Sequence, residues 1–256
     1  MQARIVETAR GARWLADGWR LFRAAPLGWL AAVFGYWAMM TLVSLVPLVG
    51  IAAAALLVPA FSVGFMALAR AAGRHGPLAP ALLFDGFRNE PRAQLLLGLI
   101  YVGCLALLLG ASALADSGAL ARWMLTGERP SDEVLDSGEF MTALCAAALL
   151  YLPVMFAFWF APPLASWHST GAAKALFFSF AASLMNWRAF LAYGAVMGVL
   201  MLVLPFVVVS AIGIAAGSSS LPLAMLAFPF VILLLPTVFA SFYASYRDVF
   251  GYDAPP

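Results

Sequence analysis

His75 and His168 are the only histidines in this chain of 256 residues, and neither has a partner at catalytic spacing. Ser166 and Ser169 flank His168, but no GxSxG turn accompanies them, and neighbours on one short segment do not build a triad. Both histidines read as interfacial side chains. Cys104 and Cys145 lie inside apolar runs, without a CxxC pair or a Cys/His cluster, so ligands for zinc or haem are missing. Helical depth along their two runs differs by roughly 10 Å at about 1.5 Å per residue. A disulfide needs Cα atoms within about 7 Å, so both cysteines read as small, buried and free.

The acidic residues offer one candidate cation site. Residues 116–139 hold six carboxylates and two arginines. Ser131 ahead of Asp132 and Glu133 suits a helix N-cap with acids in the first turn. A continuing helix would align Asp132, Asp136 and Glu139, oxygen ligands for Ca²⁺ or Mg²⁺. The preferred reading is a solvated acidic loop without metal. Asp85 and Glu90 beside Arg88 and Arg92 read as local ion pairs, as do Arg247 and Asp248.

The remaining polar signals are hydroxyls and glycines. Thr237, Ser241 and Ser245 recur at i, i+4, i+8 and either line a cavity or bond back to their own helix. Gly194 and Gly198 form a GxxxG, and Gly213 and Gly217 a second, a spacing that lets helices pack closely. Pro59, Pro153, Pro205, Pro229 and Pro236 read first as kinks, and alternatively as the broken helices of a transporter.

These residues must be positioned inside a membrane. Hydrophobic residues make up 64% of the chain and charged residues 10%, with a mean hydropathy of +0.96. A water-soluble domain has roughly 25% charged residues, and a folded chain of this size cannot hide so much apolar surface. That excludes a soluble enzyme, a disordered protein and a secreted disulfide scaffold. Six runs are long enough to cross a bilayer as helices: Leu27–Val49, Ile51–Ala69, Leu95–Ala115, Phe140–Ala161, Phe190–Ala215 and Leu223–Tyr246. None carries Asp, Glu, Lys, Arg or His, so the usual residues of a proton or ion relay are missing at mid-depth. The first run is preceded by too long a segment for a signal peptide and reads as an uncleaved span.

Charge sets the orientation. Arg4, Arg10, Arg13, Arg20, Arg23, Arg70, Arg74, Arg88, Arg92, Lys174, Arg188 and Arg247 fall on one side of these spans; only Arg122 and Arg129 fall on the other. The positive-inside rule makes the first side cytoplasmic, with both termini there. Six of the eight tryptophans (Trp14, Trp19, Trp29, Trp159, Trp167 and Trp187) cluster near that boundary.

Residues 4–23 read as an amphipathic helix. Ile5, Ala9, Ala12, Leu15, Ala16, Trp19 and Phe22 share one face, and Arg10, Arg13, Asp17 and Arg20 the opposite one. The apolar face either packs on the protein's own spans or enters the headgroup layer of anionic lipid. Arg10, Arg13, Arg20, Trp14 and Trp19 are the headgroup candidates. The segments entering the first, third and fifth spans are alike: Phe22-Arg-Ala-Ala-Pro26, Phe87-Arg-Asn-Glu-Pro91 and Phe180-Ala-Ala-Ser-Leu-Met-Asn186-Trp187. The chain therefore reads as three units of interfacial helix plus helical hairpin.

The Trp19-Arg-Leu-Phe22-x-x-x-Pro26 entry, Asn186-Trp187 and Ala161-Pro162-Pro163-Leu164 resemble a family of uncharacterised bacterial integral membrane proteins, common in β-proteobacteria. The resemblance spans nearly the whole chain. It implies a six-span inner-membrane protein and supplies no catalytic residues.

The reading is one all-α integral membrane domain over 1–256. It comprises an amphipathic helix (1–26), a hairpin (27–69), an interfacial segment (70–94), a hairpin (95–161) with its outer acidic loop (116–139), a second interfacial segment (162–189), a hairpin (190–246) and a tail (247–256). The expected role is non-enzymatic: membrane-organising, accessory or lipid-interacting. The alternative is a permease for an apolar or amphipathic solute. Expected partners are anionic lipid headgroups at the cytoplasmic face and a membrane protein, with no nucleic acid and no cofactor. Oligomeric state stays open.

Overall fold

Proline and left-handed residues set the helix boundaries. The computed structural model describes residues 2–46, 49–203, 210 and 223–251, and among these it contains helices and no strand. Helix α1 (Thr8–Ala24) stops because Ala25 precedes Pro26, and a residue ahead of proline is driven out of the helical region. Pro26 then opens α2 (Pro26–Ser44). Helix α3 (Gly50–Gly73) follows, then a 3₁₀ turn (Pro80–Phe84) and α4 (Asp85–Arg88). Glu90, at φ 55°, breaks the chain, and Pro91 starts α5 (Pro91–Asp116).

At the far end of α5 the Asp116 carboxylate accepts from the Gly118 and Leu120 N–H groups at 2.9 and 2.7 Å, seeding α6 (Ala119–Thr126). Helix α7 is a single turn (Asp132–Leu135), and Ser131 makes no side-chain cap to it. The cap belongs to Ser137, whose hydroxyl accepts from Phe140 N–H at 3.1 Å at the start of α8 (Gly138–Trp159). The expected helical face of Asp132, Asp136 and Glu139 is therefore not formed, because the chain turns between them. Helices α9 (Ala161–His168), α10 (Ala172–Met185) and α11 (Trp187–Gly198) follow. Helix α11 widens into a π-helical turn at Val199–Val203, and α12 (Leu223–Phe250) closes the chain.

Four helical stretches among the described residues are long and apolar enough to cross a membrane: Pro26–Ser44, Gly50–Gly73, Pro91–Asp116 and Gly138–His168. They overlap the first four expected spans, the first of them ending at Ser44 and not at Val49. Ala172–Met185 and Trp187–Met201 meet at a 79° bend about Asn186 and make a fifth if taken together. The second half of the expected fifth span lies outside the described residues, with Pro205, Gly213 and Gly217; so does Pro47. The sixth expected run lies in α12. Leu107, Leu114 and Leu149 stand exposed on α5 and α8, as leucines do where lipid is the solvent. The three expected breaks of the repeat fall at helix junctions, at Ala25, Asn89–Glu90 and Asn186.

The chain divides into two compact units, each assembled from separated stretches. One comprises Met1–Trp37, Ser62–Asp85 and Ala182–Pro256, the other Ala38–Phe61 and Gly86–Ala181. In the first, Trp14, Trp29, Phe65, Tyr243 and Tyr246 are fully buried, and Phe65 stacks on Phe239 at 4.1 Å. In the second, Phe61, Leu97, Phe160 and Leu164 are buried. There the buried Gln94 side chain donates to the Pro162 carbonyl at 2.8 Å and to Ser166 Oγ at 2.9 Å, tying α5 to α9.

Candidate functional site

The exposed end of the first unit is built on the N-terminal segment. Residues 2–7 are not helical, so the expected helix starts at Thr8 and not at residue 4, and Ile5 lies outside it. Arg4 N–H donates to the Val249 carbonyl at 2.8 Å. Asn186 reads the same segment on both of its amide atoms: Oδ1 accepts from Val6 N–H at 2.8 Å, and Nδ2 donates to the Arg4 carbonyl at 3.0 Å. Asn186 is thus the joint between α10 and α11 and the anchor of the N-terminus.

Helix α1 then docks on α11 and α12 through glycine. A β-carbon at Gly11 would lie 1.8 Å from the Ala189 carbonyl oxygen, and one at Gly18 would lie 2.3 Å from that of Thr237. Two turns apart, the glycines sit on one face and let backbones touch. Between them Trp14 is fully buried, with its ring 5.5 Å from Phe190 and 5.9 Å from Tyr193. Its indole N–H donates to Asp248 at 2.9 Å.

Charges close the edge of this contact. Arg10 Nε donates to Asp248 at 2.7 Å, and its Nη2 reaches both Asp248 and Asp17. The buried Asp17 also accepts from Arg20 and lies 3.6 Å from Arg247. Burial works against the Arg10 charge, but its hydrogen bond and attraction to Asp248, with help from Asp17, outweigh that and raise its pKa above the ordinary arginine value.

This geometry corrects the expected apolar face. Of its seven residues only Leu15 and Phe22 are buried; Ala9, Ala16 and Trp19 are exposed and Ala12 is half-buried. The docked face is instead Gly11, Trp14, Gly18 and Leu21, with Leu15 and Phe22 at its margin. Hydropathy ranks glycine as indifferent and cannot register a close backbone approach, so the pattern pointed to the wrong side. The unpacked side carries an alanine stripe ending in Trp19. Exposed arginines adjoin it: Arg13, Arg20 with 68% of its side chain exposed, and Arg23, whose guanidinium lies 5.8 Å from the Trp19 ring centroid.

The headgroup candidates therefore separate. Trp14 is corrected to a core residue, and Arg10 to an internal ion-pair partner. Arg13, Arg20 and Trp19 stay exposed on α1. Sequence reasoning passed over Arg23; its position four residues after Trp19, one helical turn, was the available signal.

The other hydroxyl candidates bond back to their own helix, and Thr237 also lines a groove. Thr237, Ser241 and Ser245 are all buried, and their hydroxyls donate to the carbonyls of Leu233, Val238 and Phe242 at 2.8, 2.7 and 2.7 Å. Ser241 also pairs with Tyr193 OH at 2.8 Å. Gly194 and Gly198 do not mediate close packing: nothing described lies within 4 Å of a β-carbon at either. Helix contact falls to Gly11, Gly18, Gly64, Gly86 and Gly98. Cys104 and Cys145 are free, but not buried as expected: Cys104 is half-buried and Cys145 exposed. Among the described residues no group of three His, Cys, Asp or Glu could hold a metal ion, and Asp132 pairs with Arg129 at 2.7 Å.

Over 261 aligned residues, covering 100% of this chain and 96% of its relative, the sequence is 38% identical to a Burkholderia thailandensis protein described as a "Probable inner membrane protein". No family model matches the chain, and no solved structure matches it.

Proposed function

The chain belongs to the family of this Burkholderia inner membrane protein, and from that premise we propose a non-enzymatic, lipid-interacting protein of the bacterial inner membrane. We propose six spans, the sixth being α12, with both termini cytoplasmic. The distribution of twelve basic residues on one side supports that orientation.

One observation carries the lipid reading. Helix α1 is clamped by its glycine–tryptophan face, yet keeps an apolar stripe and three arginines turned outward. An apolar stripe beside arginines suits the boundary where acyl chains meet anionic headgroups. The interfacial helix is thus part of the fold on one side and available to lipid on the other.

The test uses full-length protein in nanodiscs of equal phosphatidylglycerol and phosphatidylcholine. Phosphatidylglycerol is expected to be enriched among lipids that stay bound on extraction. Replacing Arg13, Arg20 and Arg23 together with Gln is expected to abolish the enrichment. Unchanged enrichment in the triple variant would remove the arginines from the account. We propose no catalytic role, and substitution of His168, Asp85 and Glu90 is expected to leave lipid enrichment intact.

A further inference from the structure

We propose that the groove between α1, α11 and α12 binds one anionic phospholipid, with an acyl chain in the groove and the headgroup phosphate at Arg23. The inference rests on the lipid-interacting reading above and adds to it a single, stoichiometric site.

The groove has a volume of about 450 Å³, inside the range of roughly 300–1,000 Å³ typical of small-molecule sites. Two alanines create it. Ala12 and Ala16, one turn apart on α1, place methyl groups where a longer side chain would fill the space. Leu200, Leu233 and Leu234 form other parts of the wall. Leu200 comes from the π-helical turn after α11, a local widening that recurs at functional sites.

The chemistry of the wall selects the ligand. Among the described residues Thr237 brings the one side-chain hydroxyl in the lining, and it already donates to the Leu233 carbonyl at 2.8 Å. A ligand inside the groove is therefore recognised through apolar contact alone. Polar recognition is confined to one end, where Trp19 forms wall and Arg23 lies 5.8 Å from its ring centroid. Arg20 is the next residue along, and Arg13 is exposed on the adjoining face. Asp17 is the one acid on this stretch of α1, and Arg10, Arg20 and Arg247 surround it. The mouth is thus cationic and the interior apolar. A polar metabolite would find no partner inside, and a purely apolar solute would have no use for the arginines. An amphiphile with an anionic head uses both ends. Free phosphate shares the arginine chemistry but has nothing to place in the groove.

The experiment is native mass spectrometry of the full-length protein released from nanodiscs of equal phosphatidylglycerol and phosphatidylcholine. One phosphatidylglycerol is expected to remain after the loosely held lipids are stripped. Ala16→Phe fills the groove from an exposed position away from the Gly11–Trp14–Gly18 contact and is expected to cut the retained fraction at least tenfold. Arg23→Gln is expected to keep a bound lipid but lose the preference for phosphatidylglycerol. Retention by Ala16→Phe equal to the unaltered protein would overturn the groove while leaving the headgroup preference to stand by itself. Loss in Ala16→Phe with no headgroup preference in the unaltered protein would keep the chain in the groove and overturn the anionic reading. Displacement of the lipid by millimolar inorganic phosphate would overturn the proposal in favour of a free-anion site. Should Ala16→Phe fail to fold, phosphatidylglycerol with a photoreactive acyl chain decides: adducts are expected on Leu15, Trp19 or Leu233, and adducts confined to other helices would overturn the site.

Discussion

Asp248 holds two donors from α1, the guanidinium of Arg10 and the indole of Trp14. Asp248→Ala takes the acceptor from the Trp14 indole and leaves Arg10 with Asp17. An unsatisfied buried donor costs about 1–3 kcal/mol, and Trp14 is fully buried while Arg10 is partly solvated. The expected outcome is a lowered thermal midpoint in detergent. Arg10→Met combined with Asp248→Ala should cost less than the sum of the single changes, because the pair acts as a unit. Asn186→Leu is expected to free the N-terminal segment by removing the acceptor of Val6 and the donor to Arg4; faster exchange at the Val6 amide would register it. At this scale the sequence was half legible. Asn186 and Pro162 stood in motifs that resemblance picked out, but the reasons for them, a joint and a carbonyl for Gln94, depend on segments far apart in the chain. Arginine and tryptophan were visible as interfacial types, while burial of Trp14 and exposure of Trp19 depended on where two glycines lay.

At the scale of the element, α1 is the piece most exposed to error and to test. Its C-terminal boundary was readable from Pro26 while its start was not, and the junction at Glu90 repeats the residue-before-proline chemistry of Ala25, which Asn186, followed by Trp187, does not. Its packed face was not readable, because contact through Gly11 and Gly18 leaves no hydropathy signal. Gly18→Leu is expected to push α1 from α12, since even a β-carbon would meet the Thr237 carbonyl. Overpacking of this kind costs about 1–3 kcal/mol, and limited proteolysis within residues 8–24 should accelerate. Gly194→Leu, with no described atom within 4 Å of a β-carbon, is the matched control and should leave the digestion rate unchanged. The acidic stretch shows the opposite limit. Its charge and its N-cap signal were visible, yet the cap went to Ser137 and not Ser131, because α8 is the helix that continues.

For the whole molecule, composition alone was sufficient to identify a membrane protein, and the exclusion of charge from the apolar runs located the long helices. Orientation rests on arginine placement, which the proposed topology makes testable. Single cysteines at residues 3 and 130, in a chain with Cys104 and Cys145 replaced by Ser, are expected to be labelled by an impermeant maleimide from opposite sides of the membrane: 130 in intact spheroplasts, and 3 only after lysis. Labelling of 3 in intact spheroplasts and of 130 only after lysis would invert the account of the arginines, and labelling of both from outside would overturn the opposite-side placement. The number of spans was less legible than the class. Phe190–Ala215 looks continuous in hydropathy, yet a 79° bend precedes it and a π-helical turn lies within it, neither of which hydropathy records.

The central claim is that α1 is docked on one face and lipid-facing on another. Site-directed spin labels read that division directly in the reconstituted full-length protein. Labels at Ala9 and Ala16 are predicted to be accessible to oxygen and shielded from a water-soluble nickel relaxant, with the reverse at Arg13. Equal exposure of all three to the nickel reagent would place α1 in water away from the bilayer, and would contradict the account.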